Sequence, residues 1–142
     1  MKISDIMSGS VISVGQDEPV TAAARLLKQH NIGALPVCDG SGNLRGIVTD
    51  RDIVLRCVAP GRDSNETRVS EVMSHGVVTA SPEDSVEQAS RLMARDQIRR
   101  LPVIDGGRLV GMVALADMAR SLGCEMEAAE ALTEISENIT RR

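Results

Sequence analysis

The sequence predicts an α/β chain of the mixed α+β type, made of two β-α-β-β-α repeats packed sheet to sheet with pseudo-two-fold symmetry. Three observations predict it. Shifted by 66, residues 1–40 fall on 67–106 with fourteen identities in forty positions, among them Met7 on Met73, Val20 on Val86, Arg25 on Arg91 and Ile32 on Ile98. One residue is lost near Ser41; the shift becomes 65, and Gly46 falls on Gly111 and Asp52 on Asp117. The chain has 142 residues, 42% of them hydrophobic and none of them Trp, Tyr or Phe, so its core must be aliphatic. Strand-like and helix-like patterns also alternate in the same order in both halves.

Each repeat opens on a short β-branched run bounded by turn residues, Val11–Val14 and Val77–Ala80, which reads as a strand. A helix follows. In the first repeat it begins at Pro19, behind Asp17 and Glu18. In the second, Ser81 is the expected N-cap, Pro82 the first helical residue and Asp84 the acidic box partner. Val20, Ala23, Ala24 and Leu27, and again Val86, Ala89 and Met93, recur at helical spacing and give each helix one apolar face. Two strands with a tight turn come next: "ALPVC" and "LRGIVT" flank "DGSGN", and "RLPVI" and "RLVGMV" flank "DGG". A short helix closes each repeat, over about 50–57 and 115–121. The organisation is therefore repeat 1 over 1–58, a polar linker over 59–68, repeat 2 over 69–122 and an acidic amphipathic helix over 123–142. In that last helix Met126, Ala129, Leu132, Ile135 and Ile139 form the expected apolar face, for packing on the module or for a dimer or partner contact. A lone repeat of about sixty residues has too small a core to stand by itself, so the two are expected to cover each other.

Composition excludes several functions. A net charge of -4 and the lack of aromatic rings argue against binding nucleic acid. The first ten residues contain Asp5 and no apolar core, and no apolar run approaches ~20 residues, so neither a signal peptide nor a membrane span is expected and the chain reads as cytoplasmic. Cys38, Cys57 and Cys124 are odd in number and form no CxxC pair; they read as small buried hydrophobes. His30 and His75 read as surface residues, and no metal-ligand spacing is present. No catalytic constellation is present, so the chain is not expected to be an enzyme.

The repeats carry "DIM" at Asp5–Met7, "EVM" at Glu71–Met73, two "LPV-DG" hairpins and two stretches of the form G-h-V-x-x-x-D. With these motifs the chain resembles, over about 3–122, a tandem pair of CBS domains, the module named after cystathionine β-synthase, in its free-standing bacterial form. The resemblance implies a regulatory sensor. It implies an adenosine-type ligand (AMP, ADP, ATP or another adenosyl compound) in clefts between the repeats, homodimers built from CBS pairs, and signalling by conformational or dimer change to a regulated protein; it implies no cofactor. It further implies that the aspartate of G-h-x-[ST]-x-x-D takes the ribose hydroxyls. Gly46, Thr49 and Asp52 match that pattern fully; Gly111 and Asp117 match, but Ala114 lacks the hydroxyl. Arg99 and Arg100, just ahead of Leu101, fit the phosphate role the resemblance implies, and their counterparts Gly33 and Ala34 do not, so at most one good nucleotide site per chain is expected.

The chemistry suits those roles. A carboxylate accepts two hydrogen bonds at once, a helix N-terminus favours phosphate, and Arg adds a bidentate contact. Without aromatics, the base must slot between aliphatic side chains and backbone around Val11–Ser13 and Ile32–Pro36, which makes Ile12, Gly33, Ala34 and Pro36 candidate contacts. Arg51 looks exposed but within reach of a neighbouring phosphate. The bland readings stand beside these: Thr49-x-x-Asp52 is equally a helix capping box, Asp117 a carboxylate at a helix start, and Arg99 and Arg100 two solvated side chains sent to opposite faces by strand alternation. The alternative function is a ligand-free, stress-related scaffold for dimerisation or protein interaction.

Overall fold

The structure, a computed structural model, describes residues 1–121 and 125–140. Its elements are β1 (Val14–Gly15), α1 (Val20–His30), β2 (Ala34–Cys38), β3 (Leu44–Thr49), α2 (Asp50–Ile53), α3 (Val86–Asp96), β4 (Arg100–Asp105), β5 (Arg108–Ala114), α4 (Leu115–Arg120) and α5 (Glu125–Thr140). The β-α-β-β-α order of the sequence is present in the first repeat. In the second, the opening strand is reduced to a parallel bridge from Ala80 to Val103, leaving a sheet of β4 and β5 alone. The first repeat's opening strand is shorter than Val11–Val14 and is shifted to Val14–Gly15, where it pairs in parallel with β2 at Val37 and Cys38.

The chain divides into two compact units, one of Ile12–Val77 and the other of Met1–Val11 with Val78–Arg142. They do not coincide with the repeats, because each repeat gives up its leading segment. In the unit Ile12–Val77, a 3-10 turn at Val69–Glu71 leads to Ser74, which exchanges backbone hydrogen bonds with Ile47 on β3 at 2.8 and 3.0 Å. In the other unit, the counterpart turn Ile3–Asp5 leads to Ser8, which exchanges bonds with Met112 on β5 at 2.8 and 3.0 Å. The added segments satisfy N–H and C=O groups along what are otherwise open sheet edges.

The same segments cap helices. Pro19 has no side-chain acceptor to offer as the N-cap of α1; the carbonyls of Thr67 and Ser64 instead accept from Val20 and Thr21 at 2.8 and 3.1 Å. The 59–68 stretch therefore seals the end of α1, and Thr67 is buried. In α3 the cap is Ser85, the repeat counterpart of Pro19, not Ser81: Ser85 Oγ accepts from Gln88 N at 3.1 Å and Gln88 Oε1 from Ser85 N at 2.8 Å. Ser81 and Asp84 close a separate turn four residues upstream. Ser81-x-x-Asp84 and Ser85-x-x-Gln88 are both box sequences, and the apolar face beginning at Val86 selects the second.

Both cores are aliphatic. Val20, Ala23 and Leu27 of α1 meet Leu35, Val37 and Val48 of the sheet, whereas Ala24 is exposed and Leu26 packs in its place. In the other unit Val86, Ala89 and Met93 meet Leu101, Val103 and Val113, and α5 adds Ala131 and Ile135. Helix α5 packs on α3 and α4 through those two residues, one turn apart, so Ala129 and Leu132 lie outside its buried stripe. Of the other residues expected on that face, the side chains of Met126 and Ile139 lie outside the described residues, as does Cys124. Cys38 and Cys57 are buried, and burial pushes the Cys38 thiol up, which keeps it protonated.

Both hairpins carry a one-residue bulge at the same place, where Val37 pairs with Gly46 and Val103 with Gly111. A Cβ on Gly46 would lie 2.6 Å from Ser74 O, and one on Gly111 2.6 Å from Met7 Sδ. Glycine at these positions admits the exchanged segment. Gly46→Ala is expected to cost about 1–3 kcal/mol through overpacking, read as a lowered thermal midpoint. In the first hairpin, Asp39 accepts from Ser41 N, Asn43 N and Arg45 Nε at 2.9–3.0 Å, and these bonds, that from Asn43 N foremost, lower its carboxyl to about 2 from 3.8. A depressed carboxylate stabilises the fold above its ordinary pKa and loses that stabilisation as the pH falls towards its folded value. Asp39→Asn should therefore lower the midpoint at neutral pH, with the difference from wild type closing as the pH is taken down to about 2.

Candidate ligand-binding site

In the unit Ile12–Val77 the site is built where β3 runs into α2. Thr49 ends the strand in extended conformation and caps the helix: its Oγ1 accepts from Asp52 N at 3.0 Å, and Asp52 Oδ2 accepts from Thr49 N at 3.0 Å. The capping box expected from the sequence is thus complete. Asp52 is only 9% exposed. A third group joins it: Ser74 Oγ donates to Asp52 Oδ1 and Oδ2 at 3.3 and 3.4 Å, so the exchanged segment also holds the carboxylate. Oδ1 has only that one long bond and keeps acceptor capacity. A π-helical turn, Val54–Val58, continues directly from α2; such turns recur at functional sites.

The flanking candidates fall around this junction. Asp50 N donates to Gly33 O at 3.0 Å, and a Cβ on Gly33 would meet Asp50 Oδ2 at 3.4 Å, so glycine leaves that carboxylate uncovered. Ala34 pairs with Thr49 across the sheet and Pro36 with Ile47; Ala34 is half-buried, Pro36 buried. Ile12 packs on the core of the same unit. Arg51 is exposed.

The counterpart junction, β5 into α4, is chemically different. Asp117 Oδ2 accepts from Ala114 N at 2.8 Å, but Ala114 has no acceptor to return to Asp117 N, so half of the box is missing. Asp117 Oδ1 accepts from Arg120 at 2.8 Å. Arg99 and Arg100 are both exposed, and instead of parting to opposite faces they border one open cavity of about 500 Å³. Arg99 precedes β4, so strand alternation does not govern it. Asp117 does not line that cavity.

Sequence reasoning missed Ser74 and Arg120. Arg120 was legible as an i+3 partner of Asp117 on a helix. Ser74 lies 22 residues from Asp52, and only its repetition as Ser8 marks it. Among the described residues no group of three or more His, Cys, Asp or Glu side chains could hold a metal ion, and no helix is long and apolar enough to cross a membrane.

The chain thus carries one α+β unit twice, each presenting an acidic side chain, Asp52 or Asp117, where a strand runs into a short helix. The CBS domain model matches the chain over residues 3–58 and 69–123, and the chain belongs to the CBS domain family. It is 49% identical over 134 residues to the CBS domain-containing protein YhcV of Bacillus subtilis, covering 94% of each chain. It is 42% identical over 118 residues to Hypoxic response protein 1 of Mycobacterium tuberculosis, covering 83% of this chain and 82% of that one. The crystal structure of Hypoxic Response Protein I, with two coordinated zinc ions, superposes with a TM-score of 0.79 at 40% identity, covering 86% of this chain and 99% of that one. The CBS domain pair of protein MJ0100, in complex with 5′-methylthioadenosine and S-adenosyl-L-methionine, superposes with a TM-score of 0.71 at 32% identity, covering 84% and 94%.

Completing or breaking the box should move stability in opposite directions. Thr49→Ala is expected to lower it by about 1 kcal/mol, and Ala114→Thr to raise it by about 0.5–1 kcal/mol, both read from thermal midpoints without ligand.

Proposed function

We propose that this chain is a regulatory module that binds an adenosine-type ligand at the β3–α2 junction and signals by a conformational or dimer change. The observation that carries the reading is Asp52: a carboxylate that is 9% exposed, fixed by Thr49 and Ser74, with one oxygen still able to accept. In this reading Asp52 takes the ribose hydroxyls, Gly33 and Ala34 leave room for the base, and Arg51 reaches a phosphate. The likeness to the MJ0100 pair, whose structure holds two adenosyl compounds, supports that ligand class.

A second reading, a ligand-free scaffold, is favoured by one observation. Val54, Leu55 and Val58 are 53, 49 and 62% exposed on the π-helical turn beside the site, an apolar stripe suited to a partner or a second copy.

A dye-reported thermal shift with AMP, ADP, ATP, NADH, S-adenosylmethionine and 5′-methylthioadenosine tests the first reading; without Trp or Tyr, intrinsic fluorescence gives no signal. A ligand at a hundred times its dissociation constant adds ~2.7 kcal/mol, or roughly 5–10 °C. The shift is expected with at least one of these and lost in Asp52→Asn, which keeps an amide oxygen for Thr49 N. No shift at millimolar concentration with any of them sinks the adenosine reading and leaves the scaffold.

A further inference from the structure

One arginine stands at different places at the ends of the two repeats. Under the shift of 65, Leu55 and Arg56 fall on Arg120 and Ser121. Arg120 lies on α4 and donates to Asp117 Oδ1 at 2.8 Å. Arg56 lies on the π-helical turn Val54–Val58, and its Nη1 donates to the carbonyls of Val72 and Met73 at 3.1 and 3.0 Å. One position along a helix is a rotation of about 100°, so here the arginine misses the aspartate and meets the exchanged segment. The two carbonyls follow the 3-10 turn Val69–Glu71 and receive no backbone N–H among the described residues. A charged donor supplies the partner they lack. The next residue is Ser74, half-buried, whose hydroxyl reaches Asp52. In the other unit Ser121 Oγ donates to Asp117 O at 2.8 Å instead. Among the described residues no side chain donates to the carbonyls of Ile6 and Met7, and the exposed Ser8 makes no side-chain hydrogen bond to Asp117. The serine reaches the aspartate only in the repeat where the arginine holds its segment.

From this contrast we propose that Arg56 is a positioning residue for the β3–α2 site: by clamping Val72 and Met73 it sets Ser74 Oγ on the Asp52 carboxylate, and by standing at 56 rather than 55 it leaves Asp52 Oδ1 open. The inference rests on the reading of Asp52 as the ribose contact. Arg56 bonds neither to Asp52 nor to the Ser74 hydroxyl, so it acts through the backbone between them. Ile47 fixes the backbone of Ser74 from β3, and Arg56 fixes the two preceding carbonyls from the π-helical turn. With one of these holds released, the serine hydroxyl is free to leave the carboxylate. A ligand must then order Asp52 and Ser74 itself, at a cost in affinity. Leu55, the counterpart of Arg120, is an exposed apolar side chain that cannot compete for Asp52 Oδ1.

Two measurements on the full chain test this, one without ligand. Thermal midpoints of Arg56→Ala, Ser74→Ala and the double variant form a cycle. The double variant is expected to lose clearly less than the sum of the two single losses, because both act on one contact. Arg56 is an exposed residue, so far-ultraviolet circular dichroism should be unchanged in its variants. The second measurement is isothermal titration calorimetry with 5′-methylthioadenosine, which carries no phosphate, so that removing a cation cannot act on it through charge. Arg56→Ala is expected to weaken binding by about three- to tenfold, the factor that one immobilised side chain is worth. Ser74→Ala should weaken it by a similar factor, and the double variant by no more than either. Arg56→Lys, which keeps a charged donor for the carbonyls, should restore most of the loss. Leu55→Arg, with Arg56 in place, should weaken binding by pairing Asp52 as Arg120 pairs Asp117. Additive midpoints overturn the proposal. So does wild-type affinity in Arg56→Ala, or an Arg56→Lys variant no better than Arg56→Ala; in either case the adenosine reading stands. If 5′-methylthioadenosine does not bind the wild type, the same titrations are made with AMP. If neither binds, the adenosine reading fails and the cycle alone decides: coupled midpoints keep Arg56 as the residue that sets Ser74 on Asp52, and additive ones remove it.

Discussion

Two short backbone pairings, Ile47 with Ser74 and Met112 with Ser8, hold the rest of the structure in place. Each brings a leading segment against a strand of the opposite repeat, and each requires glycine beside it, at 46 and 111, because a methyl group there would occupy the space of the incoming chain. The bulges at Val37 and Val103 fall opposite those glycines, where the strands must bend. The helix ends depend on the same exchange: the carbonyls of Thr67 and Met1, at equivalent places in the two repeats, accept from the first residues of α1 and α3. The glycine that opens each G-h-V-x-x-x-D motif therefore answers to sheet assembly, and the aspartate that closes it answers to the helix cap.

In the proposed function, that double use suits the junction to a ligand. A carboxylate on a flexible side chain loses rotamer freedom when it binds; one already fixed by a backbone N–H and a serine hydroxyl has lost it on folding. Asp52 is ordered by the box and by Ser74 together. Asp117 is ordered by its helix N-terminus and by Arg120, which occupies the oxygen that Asp52 keeps open. The repeats share a scaffold and differ in what it presents.

Most of the fold was legible in the sequence because the signals were local. The hairpins followed from Asp-Gly turns between apolar runs, and the helices from Val20, Ala23 and Leu27 and their counterparts. What was not legible was non-local. Nothing in "VMSHG" says that Ser74 will meet a carboxylate 22 residues back, and two consecutive box sequences, at Ser81 and Ser85, could be resolved only by where the buried face begins. In α5 helical spacing placed Ala129 and Leu132 on the apolar face, whereas Ala131, as small as Ala129, is the residue buried beside Ile135. The Thr49–Asp52 box itself was plain from spacing, whereas the shared cavity of Arg99 and Arg100 needed a helix from beyond the repeat.

The exchange of leading segments also orders events during synthesis. The unit Ile12–Val77 is continuous in the chain, and every partner its strands require has left the ribosome once Val77 has. The other unit joins Met1–Val11 to Val78 and the residues after it, and its core includes Ala131 and Ile135 of α5. Within residues 1–11, Ile3 and Ser4 meet their acceptors Asp84 and Pro82 well before Ser8 can meet Met112, and closing such long loops is slow. Met1–Val11 is short and polar enough to wait in water, with Lys2, Ser4, Asp5, Ser8 and Ser10 spaced between its apolar residues. The half of the protein that contains Asp52 is thus complete before the half that contains Arg99 and Arg100 can close.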